Sequence, residues 1–206
     1  FIVGFPGLLV ALLLYTTVRE PVRKGEQSDQ SLMPVREVSA YVWHRRRAYG
    51  AHILGISIFI MVVYALNLWG PTYFIRTFGY SAAQAGWTFG LLMLIAGSAG
   101  LLLAGWAADA WMQRGVSDAY VRLILLSMAC LMPCAIALGF ADTPLLGIAA
   151  MSGAVFFSAF QGGISGGTLQ LMTPNRMRGQ IMAVYLLVAN LIGLGLGPTA
   201  LAVVTD

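Results

Sequence analysis

Six stretches of this chain carry no Asp, Glu, Lys or Arg: Phe1–Val18, Ile53–Ile75, Thr77–Ala108, Leu123–Ala141, Thr143–Asn175 and Gly179–Thr205. Each is long enough to cross a hydrocarbon core, which takes roughly 17–25 helical residues. Charged residues make up only 10% of the sequence and the mean hydropathy is +0.80, far from the balance of a soluble domain. A spanning backbone must satisfy its own polar groups, so the expected fold class is all-α, a polytopic bundle of about six transmembrane helices. None of the runs has the form of a cleaved leader.

The basic residues give the orientation. Arg19, Arg23, Lys24, Arg36, Arg45, Arg46 and Arg47 fall between the first two runs, Arg114 and Arg122 between the third and fourth, and Arg176 and Arg178 between the fifth and sixth. The remaining connections hold only Arg76. Basic residues mark the cytoplasmic side, so these three connections are expected there. A formal charge of +4 that tracks topology in this way gives no reason to expect a nucleic-acid partner.

The one long polar segment, residues 19–49, divides in two. REPVRKGEQSDQS has the Pro, Gly, Ser and mixed charge of a flexible linker. From Pro34 onward, Val35, Val38, Tyr41 and Val42 share a helical face that leads into Arg45–Arg47. An interfacial helix beside anionic headgroups is expected there, and a plain stop signal that only fixes orientation fits equally.

Within the runs, four glycine pairs spaced by four (Gly86 and Gly90, Gly162 and Gly166, Gly163 and Gly167, Gly193 and Gly197) allow close helix contacts. Pro71, Pro133 and Pro198 are expected to kink their helices. Other motifs carry little. Gly163–Gly166 looks like an intramembrane serine protease motif, but Ser165 needs a histidine base. His44 and His52 are expected at the cytoplasmic border, away from Ser165. Gly193–Gly197 resembles a dinucleotide loop but follows no strand. Cys130 and Cys134 read as packing residues, and no metal-ligand set or cofactor motif is present.

The segment GWAADAWMQR, Gly105–Arg114, places an Asp and an Arg in a short hinge between two bare runs. An ionisable residue beside a span is costly without a role. Gly105, Asp109 and Arg114 match the Gly-x-x-x-Asp-x-x-x-x-Arg core of the cytoplasmic gating motif of the major facilitator superfamily, and the chain resembles that family along nearly its whole length. Trp69–Gly86, Thr173–Gln180 with Arg176 and Arg178, Asn190–Pro198 and the opening GFPGLLVALLLYTTVREPVR resemble its spinster-like branch. Ala110, Met112 and Gln113 depart from the fuller motif, where basic residues or Gly are frequent.

The resemblance implies an incomplete major facilitator fold, helices 6 to 11 of twelve. Residues 1–18 would then end the N-terminal half, 19–49 form the interdomain linker, and 50–206 form the C-terminal bundle without helix 12. A start without Met fits a fragment, and a complete six-helix protein is the other reading. The implied function is secondary active transport of a small organic or lipid-like molecule by alternating access, without a cofactor. The partners are that substrate, membrane lipids and the missing N-terminal half, in a bacterial inner membrane. Asp109 would latch the cytoplasmic side against a helix N-terminus of the other half, or would simply mark a wet loop.

Polar residues inside the runs are the candidates for substrate contact: Tyr64, Asn67, Gln161, Tyr185 and Asn190. Each equally suits a hydrogen bond to a neighbouring helix. Phe156, Phe157 and Phe160 suit either an apolar lining or packing. Charged coupling residues, if any, are expected in the other half. A non-transporting scaffold or receptor remains the alternative function, and an intramembrane protease a remote one.

Overall fold

A computed structural model describes residues 5–17 and 33–205, and all the regular structure among them is helical. Helix α1 is Phe5–Thr17; the rest of the first apolar run, and the linker residues 19–32, lie outside the described residues. Residues 33 onward form a separate compact unit. In it, α2 (Val35–His44) precedes α3 (Arg46–Phe78), α4 (Ala82–Leu92), α5 (Ser98–Gln113), α6 (Ala119–Gly139), α7 (Pro144–Met172) and α8 (Arg178–Thr205). A π-helical turn, Met93–Gly97, joins α4 to α5 as one rod. Among the described residues five helices are long and apolar enough to cross a membrane: α3, the α4–α5 rod, α6, α7 and α8.

Local chemistry sets the boundaries and moves several of those expected from charge. The second run does not end at Arg76. That arginine lies in the last turn of α3 with its guanidinium 5.5 Å from the Trp69 ring, and the helix closes at Gly79, where φ is 68°. Glycine takes this left-handed geometry without a Cβ penalty, and its N–H returns to the Ile75 carbonyl at 3.1 Å. Ser81 then starts α4 with a reciprocal box: its hydroxyl accepts the Gln84 N–H at 3.3 Å, and its own N–H donates to Gln84 Oε1 at 3.0 Å. Thr77 and Phe78 therefore belong to α3, not to the third run.

The segment Gly105–Arg114 is not a hinge. It forms the last turns of α5, and the chain reverses after it, at Gly115 with φ 83°. At the other end of α6, Thr143 caps α7 through the Leu146 N–H, and Pro144 occupies a first-turn position where its missing N–H costs nothing. Pro71 and Pro133 lie inside α3 and α6.

Packing is inside-out relative to a soluble bundle. Leu54, Ile58, Leu94, Leu102, Trp106, Leu125 and Met132 are exposed on the outer faces, as lipid-facing helices require. The most extensive contacts pair α3 with α8, and α7 with both α5 and α6. Glycines make these approaches possible. A methyl group at Gly100 would overlap the Phe156 carbonyl, one at Gly163 would sit 3.1 Å from the Leu101 carbonyl, and one at Gly197 2.8 Å from the Met61 carbonyl. Three of the four spaced pairs thus seat neighbouring helices. Gly86 and Gly90 do not: their Cβ positions face open space, as does that of Gly105.

Three buried serine hydroxyls are satisfied along their own helices. Ser57 donates to the Ile53 carbonyl, Ser127 to Ile124 and Ser158 to Val155, which keeps them from costing an unpaired donor in the core. Tyr49, almost fully buried, ties α3 to the end of α7 through the Met172 carbonyl and the Thr173 hydroxyl, both at 3.0 Å.

Candidate functional site

Three helices bring most of the polar candidates together. Tyr64 of α3, Gln161 of α7, and Tyr185 and Asn190 of α8 line one pocket of about 410 Å³, with Ile60, Val63, Met182 and Leu186 as its apolar wall. Gly162, Ser165 and Gly166 form part of the α7 surface of the pocket. The Tyr64 hydroxyl donates to Asn190 Oδ1 at 2.8 Å, bridging α3 and α8. Asn190 turns its amide N–H to the Leu186 carbonyl, and Gln161 donates to the Ser165 hydroxyl at 3.2 Å. The pocket therefore presents amide and hydroxyl groups against branched aliphatic side chains, with no charged side chain in its lining. It suits a ligand with a neutral polar group and an apolar body.

Asn67 lies elsewhere. It is exposed, and its amide is spent on the Val63 carbonyl of its own helix. The three phenylalanines do not line the pocket but pack on one another, Phe156 and Phe157 edge-to-face at 5.1 Å, with Phe160 in the core. Cys130 and Cys134 are free thiols.

His52 is the residue that sequence reasoning misplaced. Its ring lies 6.4 Å from that of Tyr185 and within hydrogen-bonding reach of the Ser165 main chain, not apart from it. Helix α3 runs its first turns alongside α7, which a span counted from Ile53 could not show. The contact is with the Ser165 backbone, while the Ser165 hydroxyl accepts Gln161, so the pair is not arranged as base and nucleophile. His52 Nε2 and Thr168 Oγ1 face a second, mostly apolar cavity between α3, α6 and α7, and neither has a hydrogen-bond partner among the described residues.

Gly105 and Asp109 lie one turn apart on α5. Asp109 is exposed and makes no hydrogen bond or ion pair with another described residue; Arg114 is the exposed C-cap. The other expected loop residues are partly structural. Arg178 opens α8 and donates to the carbonyls of Gln170 and Thr173 at 3.0 and 3.1 Å, clasping the end of α7, while Arg176 lies in the intervening 3-10 turn.

Comparisons with known proteins agree with this architecture. Two crystal structures of a bacterial homologue of the human lysosomal transporter Spinster superpose on the chain. Its inward-facing, unoccupied form does so with TM-score 0.63 at 24% identity, and its inward-facing, occupied form with 0.64 at 25%. Each match covers 96% of this chain, and the chain spans 42% and 40% of those structures. No protein of curated function matches. The profile described as Major Facilitator Superfamily matches residues 1–198, which takes in all five membrane-length helices and the Gly105–Arg114 segment. With its apolar outer faces and glycine-seated helices, the chain is an integral membrane protein and belongs to the major facilitator superfamily.

Proposed function

We propose that the protein containing this chain is a secondary transporter that moves a small organic or amphipathic molecule by alternating access. In this reading the α3–α7–α8 pocket is the share of the substrate site contributed by this half. One observation carries it: polar side chains from three separate helices converge on one open pocket in a bundle that is otherwise apolar. Exchange of protein for lipid around them would not require such convergence. The Spinster likeness directs the substrate class toward lipid-like molecules such as lysophospholipids.

Residues 1–18 then end the N-terminal half, 19–49 link the halves, and 50–206 belong to the C-terminal bundle. The connections rich in arginine face the cytoplasm of a bacterial inner membrane. Asp109, exposed beside the bare Gly105 surface, is the C-terminal half of a cytoplasmic latch.

Full-length protein in proteoliposomes tests the reading with lysophospholipid and organic-anion substrates. Tyr64→Phe and Asn190→Ala each remove the α3–α8 bridge and a ligand-facing polar group. The expected result is a fall in kcat/KM of up to about tenfold, the upper end of what one hydrogen bond contributes. Measurable transport with unchanged kinetics in both variants moves the site elsewhere. Absence of transport for every amphipathic substrate supports the scaffold or receptor alternative.

A further inference from the structure

The groove between α2, α3 and α8 has a shape and charge that the transport pocket does not. It encloses about 560 Å³, walled by Val35, Val38, Val42, Ile53, Ile181 and Val184. Arg46 and Trp43 line it where α2 turns into α3. Trp43 is two-thirds exposed, and the Arg46 guanidinium lies 5.3 Å from its ring. Helix α2 is held over the groove by buried Val38 and by the Gln180 side chain, which donates to the Met33 carbonyl at 2.9 Å.

The electrostatics are one-sided. At the groove end of α2, α3 and α8 the sole carboxylate is Glu37, against Arg36, Arg46, Arg47 and Arg178, with Arg45 at the junction. Arg178 is occupied by main-chain carbonyls, and Arg45 lies over the Tyr41 ring at 4.1 Å; Arg46 reaches the Trp43 carbonyl at 3.4 Å but pairs with no carboxylate among the described residues. Helix α3 begins with Arg46 and Arg47 in its first turn, no acidic residue there and no side-chain cap. The helix dipole puts partial positive charge at that same end, so the arginines are placed against it. An anion beside Arg46 would relieve both, and an apolar tail attached to it would fill the valine and isoleucine walls.

We infer that this groove is a binding site for an anionic phospholipid of the leaflet against which α2 lies, the phosphate on Arg46 and an acyl chain between α2, α3 and α8. A free phosphate would leave the apolar walls empty, and a neutral lipid would leave Arg46 uncompensated. The inference does not depend on what the protein transports.

The test uses full-length protein in nanodiscs containing phosphatidylglycerol and phosphatidylcholine, followed by stepwise delipidation and native mass spectrometry. The expected result is selective retention of phosphatidylglycerol. Arg46→Gln should lower that retention about fivefold, the value of one basic residue at an anionic surface. Val184→Trp, which fills the groove without touching the charge, should lower it to a similar degree. Arg122→Gln, on the far connection, should leave it unchanged. Equal retention of both lipids, wild-type retention in both groove variants, or no lipid retained by the native protein would each overturn the assignment. Arg46 is exposed, so its variant tests the idea without risk to the core.

Discussion

At the scale of single residues, charge is used sparingly, and Asp118 shows how one such group is held. Asp118, exposed before α6, accepts the Arg122 Nε–H at 2.8 Å, one helical turn away. That hydrogen bond, with the guanidinium charge, lowers the Asp118 carboxyl below the usual carboxylate range. A depressed folded value means the contribution is complete at neutral pH and lost as the pH falls through it. Asp118→Asn should therefore lower the melting temperature slightly at pH 7, and the gap should close on acidification. A gap independent of pH would show that the carboxylate is not its source. Residue type was readable along the chain, because a Tyr or Asn in an uncharged run stands out. Contact was not. His52 beside Ser165, and Asn67 away from the pocket, depend on the phase and offset of neighbouring helices, and one helix's own sequence does not encode these.

Among elements, small residues decide which helices touch. Gly100 sits against the Phe156 carbonyl where α5 crosses α7, with no room for even one methyl. Gly100→Leu should force the helices apart, costing about 1–3 kcal/mol; thermal unfolding in detergent measures it. The same substitution at Gly86 meets open space within this chain and should leave the isolated bundle unaffected. Spacing showed that glycines were paired, but not which pairs were occupied. The break between α3 and α4 was within reach of the sequence: Gly79 followed by Ser81 and Gln84 is a stop and a start signal in six residues. Charge counting placed the break three residues early, at Arg76, because that arginine lies inside the last turn of α3.

For the whole molecule, the bundle presents an unfilled flank. Gly86, Gly90 and Gly105 have nothing above them, and Asp109, one turn beyond Gly105, has no partner among the described residues. If Asp109 latches the other half, Asp109→Asn in the full-length protein should shift cysteine-accessibility labelling toward the inward-facing state, and unchanged labelling would remove the latch. The π turn of Met93–Gly97 gives this flank its continuity. At about 100° per residue, an unbroken α-helix would swing Gly105 about 100° away from Gly86. A π turn absorbs one extra residue, close to one such 100° step. The turn thus works as a phase corrector: it returns Gly105 and Asp109 to the azimuth of Gly86 and Gly90, while Gly97 and Gly100 stay toward α7. A rod built of two helical registers thereby offers one straight edge.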